Sequence, residues 1–198
     1  MKRRVRTNRG WIFAILAAVV MLPLSGCNEW LEENYQDNNI TRLHDDVDFV
    51  ATSASFRHLT GAYAEFKERE NFFIELLGDP TGATRDAMIL DLVAPKGATT
   101  PEGTYTVGFV GDYVALSRYD VVDENSGMVF FGGSYYGQAV NGIIKDYYGF
   151  LTTGTVVVTR IGEEGNNYTV RVAAYSGDYS VSVTFEGEFQ FIEPEEKE

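Results

Sequence analysis

The chain has 198 residues, 16 basic against 29 acidic, a net charge of −13, one Cys and two His. A lone Cys excludes an internal disulfide and a Cys-rich zinc site, and the acidic balance argues against nucleic acid as a partner. With 44% apolar and 23% charged residues, the composition is that of one globular domain with appendages.

The N-terminus carries the clearest signal. Lys2, Arg3, Arg4, Arg6 and Arg9 stand ahead of residues 11–24, fourteen positions without a charge. That run is too short to cross about 30 Å of hydrocarbon and has the layout of a signal-peptide apolar region. The small residues Ser25 and Gly26 follow, then Cys27. Leu24-Ser25-Gly26-Cys27 resembles the lipobox of bacterial lipoproteins. The resemblance implies diacylglyceryl transfer to the Cys27 sulfur, cleavage after Gly26, and acylation of the new amino group, with palmitate as the expected acid. More than one acyl chain anchors a protein stably where a single chain does not. The other readings of the same residues are an ordinary secretory signal and an uncleaved anchor helix.

Cleavage removes five basic residues and no acid, leaving 11 basic and 29 acidic residues, or −18. The stretch Asn28-Glu29-Trp30-Leu31-Glu32-Glu33-Asn34 resembles the acidic export signal of surface-exposed lipoproteins in gut-type Gram-negative bacteria. It implies an outer-membrane, lipid-anchored location at the cell surface. The expected organisation is therefore a signal peptide over 1–26, the lipidated Cys and an acidic tether over 27–48, a β domain over 49–192, and an acidic tail over 193–198.

Within the domain the elements read as strands. Residues 71–77 are apolar, and Asp79-Pro80-Thr81-Gly82 is a turn by composition. Apolar runs follow at 88–93 and 104–110, and an aromatic, Gly-rich run at 128–136. Asn141-Gly142 is the strongest hairpin signal in the chain. Residues 154–161 are β-branched and 162–167 turn the chain back. Tyr168, Val170, Val172 and Ala174 alternate with polar residues, and Ser176-Gly177-Asp178 is a short turn. Tyr179, Val181, Val183, Phe185, Phe189 and Phe191 then alternate with Ser, Thr, Glu and Gln, the period of a half-buried strand. Gly187 interrupts that face and marks a bulge or bend. The fold class is all-β: an antiparallel meander of about nine or ten strands closing as a small barrel or stacking as a sandwich.

Three phrases, Leu90-Asp91-Leu92-Val93-Ala94-Pro95, Pro101-Glu102-Gly103-Thr104-Tyr105 and Thr153-Gly154-Thr155-Val156-Val157-Val158, resemble small calycin-like (lipocalin-like) β-barrel lipoproteins. They imply the barrel and no activity.

Catalytic signals are thin. The Ser in Gly132-Gly133-Ser134-Tyr135-Tyr136-Gly137 lacks the Gly two positions on that a nucleophile elbow needs. A serine triad needs a His, and only His44, in the tether, and His58, a surface or packing residue, exist. Asp123-Glu124-Asn125-Ser126-Gly127 has alternate oxygen donors but not the spacing of a calcium loop, so a plain acidic turn is expected, with no metal and no cofactor. Glu75, Asp91, Glu186 and Glu188 lie in strands, and a glycosidase would need two of them across a cleft. The crowding of aromatics between 130 and 150 places Tyr135, Tyr136, Tyr147 and Tyr148 as candidate ligand contacts, by stacking on a sugar or lining a pocket. Paired aromatics that stabilise a sheet are the plainer reading. The expectation is a non-catalytic binding module for a glycan or small ligand. An accessory subunit docked to an envelope protein complex is the second reading, and a small polysaccharide hydrolase the third.

Overall fold

A computed structural model describes residue 43 and residues 45–60, 66, 68–79, 84–122, 129–140, 143–163 and 165–192. Twelve strands and no α-helix occur among them: β1 (Val47–Thr60), β2 (Glu70–Gly78), β3 (Thr84–Ala94), β4 (Gly103–Gly108), β5 (Val114–Leu116), β6 (Tyr119–Val122), β7 (Val129–Gly132), β8 (Tyr135–Val140), β9 (Ile143–Phe150), β10 (Thr153–Arg160), β11 (Asn167–Ser176) and β12 (Tyr179–Phe191). Residues 120–131 belong to a separate unit, whose described part is the β6–β7 ladder.

The main unit is a closed barrel. Its strands run β1-β12-β11-β10-β4-β5-β3-β2 and return to β1. Strands β8 and β9 extend the sheet from β3, whose edge is shared by β8 along Thr84–Ile89 and by β5 at Leu92 and Val93. The all-β class and the small barrel thus hold. The all-antiparallel meander does not, because β1 pairs with β12 and β4 with β5 in parallel. The strands also number more than nine or ten, because β1 begins at Val47, inside the segment read as tether, and β5 and β6 are short. Leu43, also from that segment, is buried in the core cluster.

Eight strands leave an interior that side chains can fill. Here they fill it by strict alternation. Phe72, Ile74 and Leu76 enter from β2, and Met88, Leu90 and Leu92 from β3. Val170 and Val172 come from β11, and Val181, Val183 and Phe185 from β12. An aromatic cluster sits among them. The Phe189 ring stacks on Tyr168 with centroids 4.7 Å apart and packs on Phe56 at 5.7 Å and Phe185 at 5.5 Å. Each such fully buried side chain contributes roughly 1.5–3 kcal/mol. Tyr105 is wholly buried, and its hydroxyl donates to the Pro101 carbonyl at 2.8 Å. Burial pushes that phenol well above its ordinary value. Strand β3 is buried on both faces from Leu90 to Ala94, which explains why its residues there are apolar except for Asp91.

Local devices set the ladders. The two-residue Gly177-Asp178 turn joins β11 to β12, with Gly177 at φ +63° as a tight hairpin requires. Gly154 has φ +127°, and a Cβ there would lie 2.3 Å from Ala174 Cα on the neighbouring strand. Between Val50↔Thr184 and Ala54↔Phe189, β12 carries one more residue than β1, so the irregularity expected at Gly187 falls in this parallel ladder. Between Ala51↔Gly78 and Ser53↔Leu77, β1 carries one more residue than β2. The strands β4 and β5 run parallel across a connection of only residues 109–113, far shorter than the usual crossover. Arg69 holds that connection. Its guanidinium donates to the Gly111 carbonyl at 2.8 Å, to the Asp112 carbonyl, and to Ala94 at 3.3 Å, and lies 5.3 Å from the Phe66 ring centre.

Candidate functional site

Tyr135 and Tyr136 open β8, and both rings are packed away, 4% and 7% exposed. Tyr136 turns into the barrel core beside Phe49, and its hydroxyl donates to Asp86 Oδ1 at 2.6 Å. Tyr135 faces the other way, its ring 5.3 Å from Phe150. Neither offers a free face for a sugar to stack on, so these two residues consolidate the sheet. Tyr147 and Tyr148 lie in β9, with Tyr147 opposite Gly137, but their side chains are outside the described residues. Cys27, His44 and residues 123–127 are outside them altogether.

The strand carboxylates divide by face. Glu186 and Glu188 point outward and are exposed. Asp91 is fully buried. It accepts from Asn71 Nδ2 at 2.8 Å and from the Tyr119 hydroxyl at 3.0 Å, and its backbone N–H donates to Ser134 Oγ at 3.0 Å. That cluster ties β2 and β3 to Tyr119 and to Ser134, the residue before β8. Glu70 lies at the rim. It accepts from Thr60 Oγ1 at 2.7 Å and from the Gly97 N–H at 3.1 Å, and is bonded to His58 Nε2 at 2.9 Å. The Thr60 hydroxyl above all holds its carboxyl below the ordinary value. The His58 ring stacks on Phe72 at 4.5 Å, so His58 is a packing residue.

Glu75 is different. It stands on the outward face of β2, directly opposite Ser55 of β1, and Ser55 in turn pairs with Gln190 of β12. One row, Glu75-Ser55-Gln190, therefore crosses three adjacent strands. The next position along β1 is Ser53, opposite Leu77. Small serines on the middle strand, flanked by longer side chains on both neighbours, leave a trough. It is lined by Ser53, Ser55, Glu75, Leu77, Gln190 and Ile192 and encloses about 160 Å³. Both ladder irregularities of β1 fall beside it, as bulges next to functional sites often do. The Glu75 carboxylate accepts one long bond, 3.5 Å from Ser55 Oγ. Burial raises its pKa, with opposition from the Ser55 bond and the charges of Arg57 and Arg85. The Gln190 side chain is exposed on the outer wall.

The trough combines an under-used carboxylate, hydroxyls, an amide and two apolar walls. That donor set suits reversible recognition of a hydroxylated ligand. Sequence reasoning marked Glu75 only as a strand carboxylate and passed over Ser53, Ser55 and Gln190. The one available signal was the alternation of small polar residues at 53 and 55, which has meaning only once β2 and β12 are known to flank β1. No protein-family model, no curated protein and no solved structure matches the chain.

Proposed function

We propose that the protein is a lipid-anchored lipoprotein of the outer membrane, held by acyl groups on Cys27, whose barrel is a non-catalytic binding module for a glycan or small ligand at the cell surface. The observation that supports the binding half is the outward trough beside Glu75. With Phe72, Leu90, Tyr168, Phe185 and Phe189 occupying the space where calycin-like barrels would hold a ligand, recognition falls to the outside wall, where the Glu75 trough lies. The anchor half rests on the resemblance of residues 24–27 to a lipobox and on the short apolar leader before it.

The test is a melting-temperature screen of the detergent-solubilised chain against polysaccharides, oligosaccharides, apolar ligands and calcium. A saturable upward shift is expected with a saccharide, because a ligand bound only to the folded state stabilises it by mass action. A shift with none of these would overturn the module reading. For the anchor, Cys27→Ser should release the protein from membranes. Retention of that variant, together with an unacylated mass for the wild-type chain, would overturn the lipoprotein reading.

A second reading, an accessory subunit docked to an envelope assembly, is favoured by the 109–113 connection. Phe109 and Val110, its first two residues, are 49% and 89% exposed on a loop that Arg69 holds in place. Exposed apolar side chains on a fixed loop are what a protein partner would cover. Capture of a single envelope protein that is lost with Phe109→Ser/Val110→Ser would carry it.

A further inference from the structure

We propose that the trough over β1 binds one ring of a neutral sugar or cyclic polyol, with Glu75 accepting hydroxyl protons and Gln190 donating to a hydroxyl oxygen. This rests on the reading of the barrel as a binding module and adds the site and the ligand class. Three observations carry it. The first is capacity. About 160 Å³ is well below the roughly 300–1,000 Å³ of pockets that enclose a whole drug-sized ligand. The trough therefore seats a single ring, and the remainder of a longer chain lies along the open surface.

The second is the hydrogen-bonding inventory. An ionised carboxylate has about four acceptor sites, and among the described residues Glu75 uses one, weakly, at 3.5 Å. Adjacent hydroxyls of a ring can both donate to it, and such charge-assisted bonds are the strong ones. Ser53 and Ser55 on the floor can donate or accept, and the Gln190 amide adds donors on the opposite wall. Leu77 and Ile192 offer apolar contact to the C–H edges of the ring. Ring geometry fits because the polar row crosses the strands at Glu75-Ser55-Gln190 while the apolar pair lies at its ends.

The third is charge. A cationic ligand would meet Glu75, but the positive field of Arg57 and Arg85 acts on that same carboxylate. An anion would meet Glu75 itself and a strongly acidic chain. A neutral, hydroxyl-rich group is the class that neither charge opposes.

The experiment is isothermal titration and saturation-transfer NMR on the full chain in a detergent without a sugar headgroup. The probes are glucose, galactose, mannose and myo-inositol, with glucosamine and glucuronate as the charged analogues. Saturable binding of at least one neutral probe is expected, with both charged analogues weaker. Glu75→Gln, which keeps the shape and removes the charge, and Ser55→Phe, which fills the trough, should each weaken it about tenfold or more. Glu188→Gln, exposed on the same wall, should leave it unchanged, and melting curves confirm that each variant folds. Equal binding by wild type, Glu75→Gln and Ser55→Phe would overturn the trough and leave the module reading standing. Tighter binding of glucosamine or glucuronate would overturn the ligand class. No binding of any neutral probe would overturn the inference, and the module reading would then stand or fall on the polysaccharide and apolar-ligand arms of the melting screen.

Discussion

Glu70 and Glu75 share strand β2, five residues apart, and their carboxyls shift in opposite directions from the same ordinary value of 4.5. An odd spacing on a strand puts them on opposite faces. Glu70 shares the face of Phe72 and meets ready-made donors in Thr60, Gly97 and His58. Glu75 faces outward into the trough, where among the described residues its hydrogen bond is the long one from Ser55, with the charges of Arg57 and Arg85 nearby. One carboxylate is satisfied by its own fold, and the other is left to be satisfied by something else.

Glu75→Gln is expected to stabilise the protein at pH 7 while weakening ligand binding. A carboxyl whose folded pKa is raised favours folding below its unfolded value of 4.5 and loses that contribution as pH rises through the folded value. The substitution removes the cost of ionising a half-buried group, so the urea midpoint should rise at neutral pH. The difference should vanish below pH 4.5. Gain of stability with loss of binding marks a site kept at some cost to the fold.

Glu70→Gln should behave in the opposite sense. A lowered folded pKa contributes stability above the unfolded value of 4.5 that is lost as pH falls through the folded value. The variant should be about 1–2 kcal/mol less stable at pH 7 through weakened hydrogen bonds. Urea titrations at decreasing pH should show the wild-type advantage shrinking below 4.5. A constant deficit at all pH values would assign the loss to packing instead.

Arg69→Ala should loosen the 109–113 connection. It withdraws the donors from the carbonyls of Ala94, Gly111 and Asp112 at one stroke. Amide exchange at Tyr113 and Val114 should accelerate, with a global loss of about 1–3 kcal/mol. Arg69→Lys should rescue little, because one ammonium cannot span the positions that the planar fork reaches.

Gly154→Ala should cost about 3 kcal/mol or more, since its Cβ would collide with the backbone of Ala173 and Ala174 at 2.5 and 2.3 Å, and neither can yield. Gly177→Ala, with open space around its Cβ, should cost only the left-handed backbone penalty of about 1 kcal/mol. Thermal melts of the two single variants separate steric from conformational loss.

The C-terminal half was legible because its pattern is local. The alternation from Tyr168 to Phe191 gave β11, β12 and their turn directly, since each face meets one environment. The start of strand β1, Val47 and Asp48, reads as tether because it lies among acids, and the rest, inside the expected β domain, gives no clear strand signal because its outward face carries Thr52, Ser53, Ser55 and Arg57. The run 104–110 seemed one element, yet β4 ends at Gly108 and leaves Phe109 and Val110 exposed. Apolar character alone does not say where a strand stops. Asp91, placed among the strand carboxylates, is wholly buried because donors 20 and 28 positions away close over its carboxylate and Ser134, 43 positions away, accepts from its backbone N–H. The trough was invisible for the same reason. It exists only where three strands from the two ends of the domain lie side by side.

The parallel pairing of β1 with β12 also fixes when the protein can exist as a barrel. Ser180 bonds to Asp46 across 134 positions, and the ladder continues from Val47↔Val181 to Phe56↔Phe191. The opening strand has no partner on one side until the final strand has been synthesised. Folding is therefore slow by its topology, with loop-closure entropy spent before the closing contacts repay it. Until then the earlier strands present unpaired edges to whatever surrounds them. The trough on β1 needs β2 and β12 on either side of it, so it is among the last features to form.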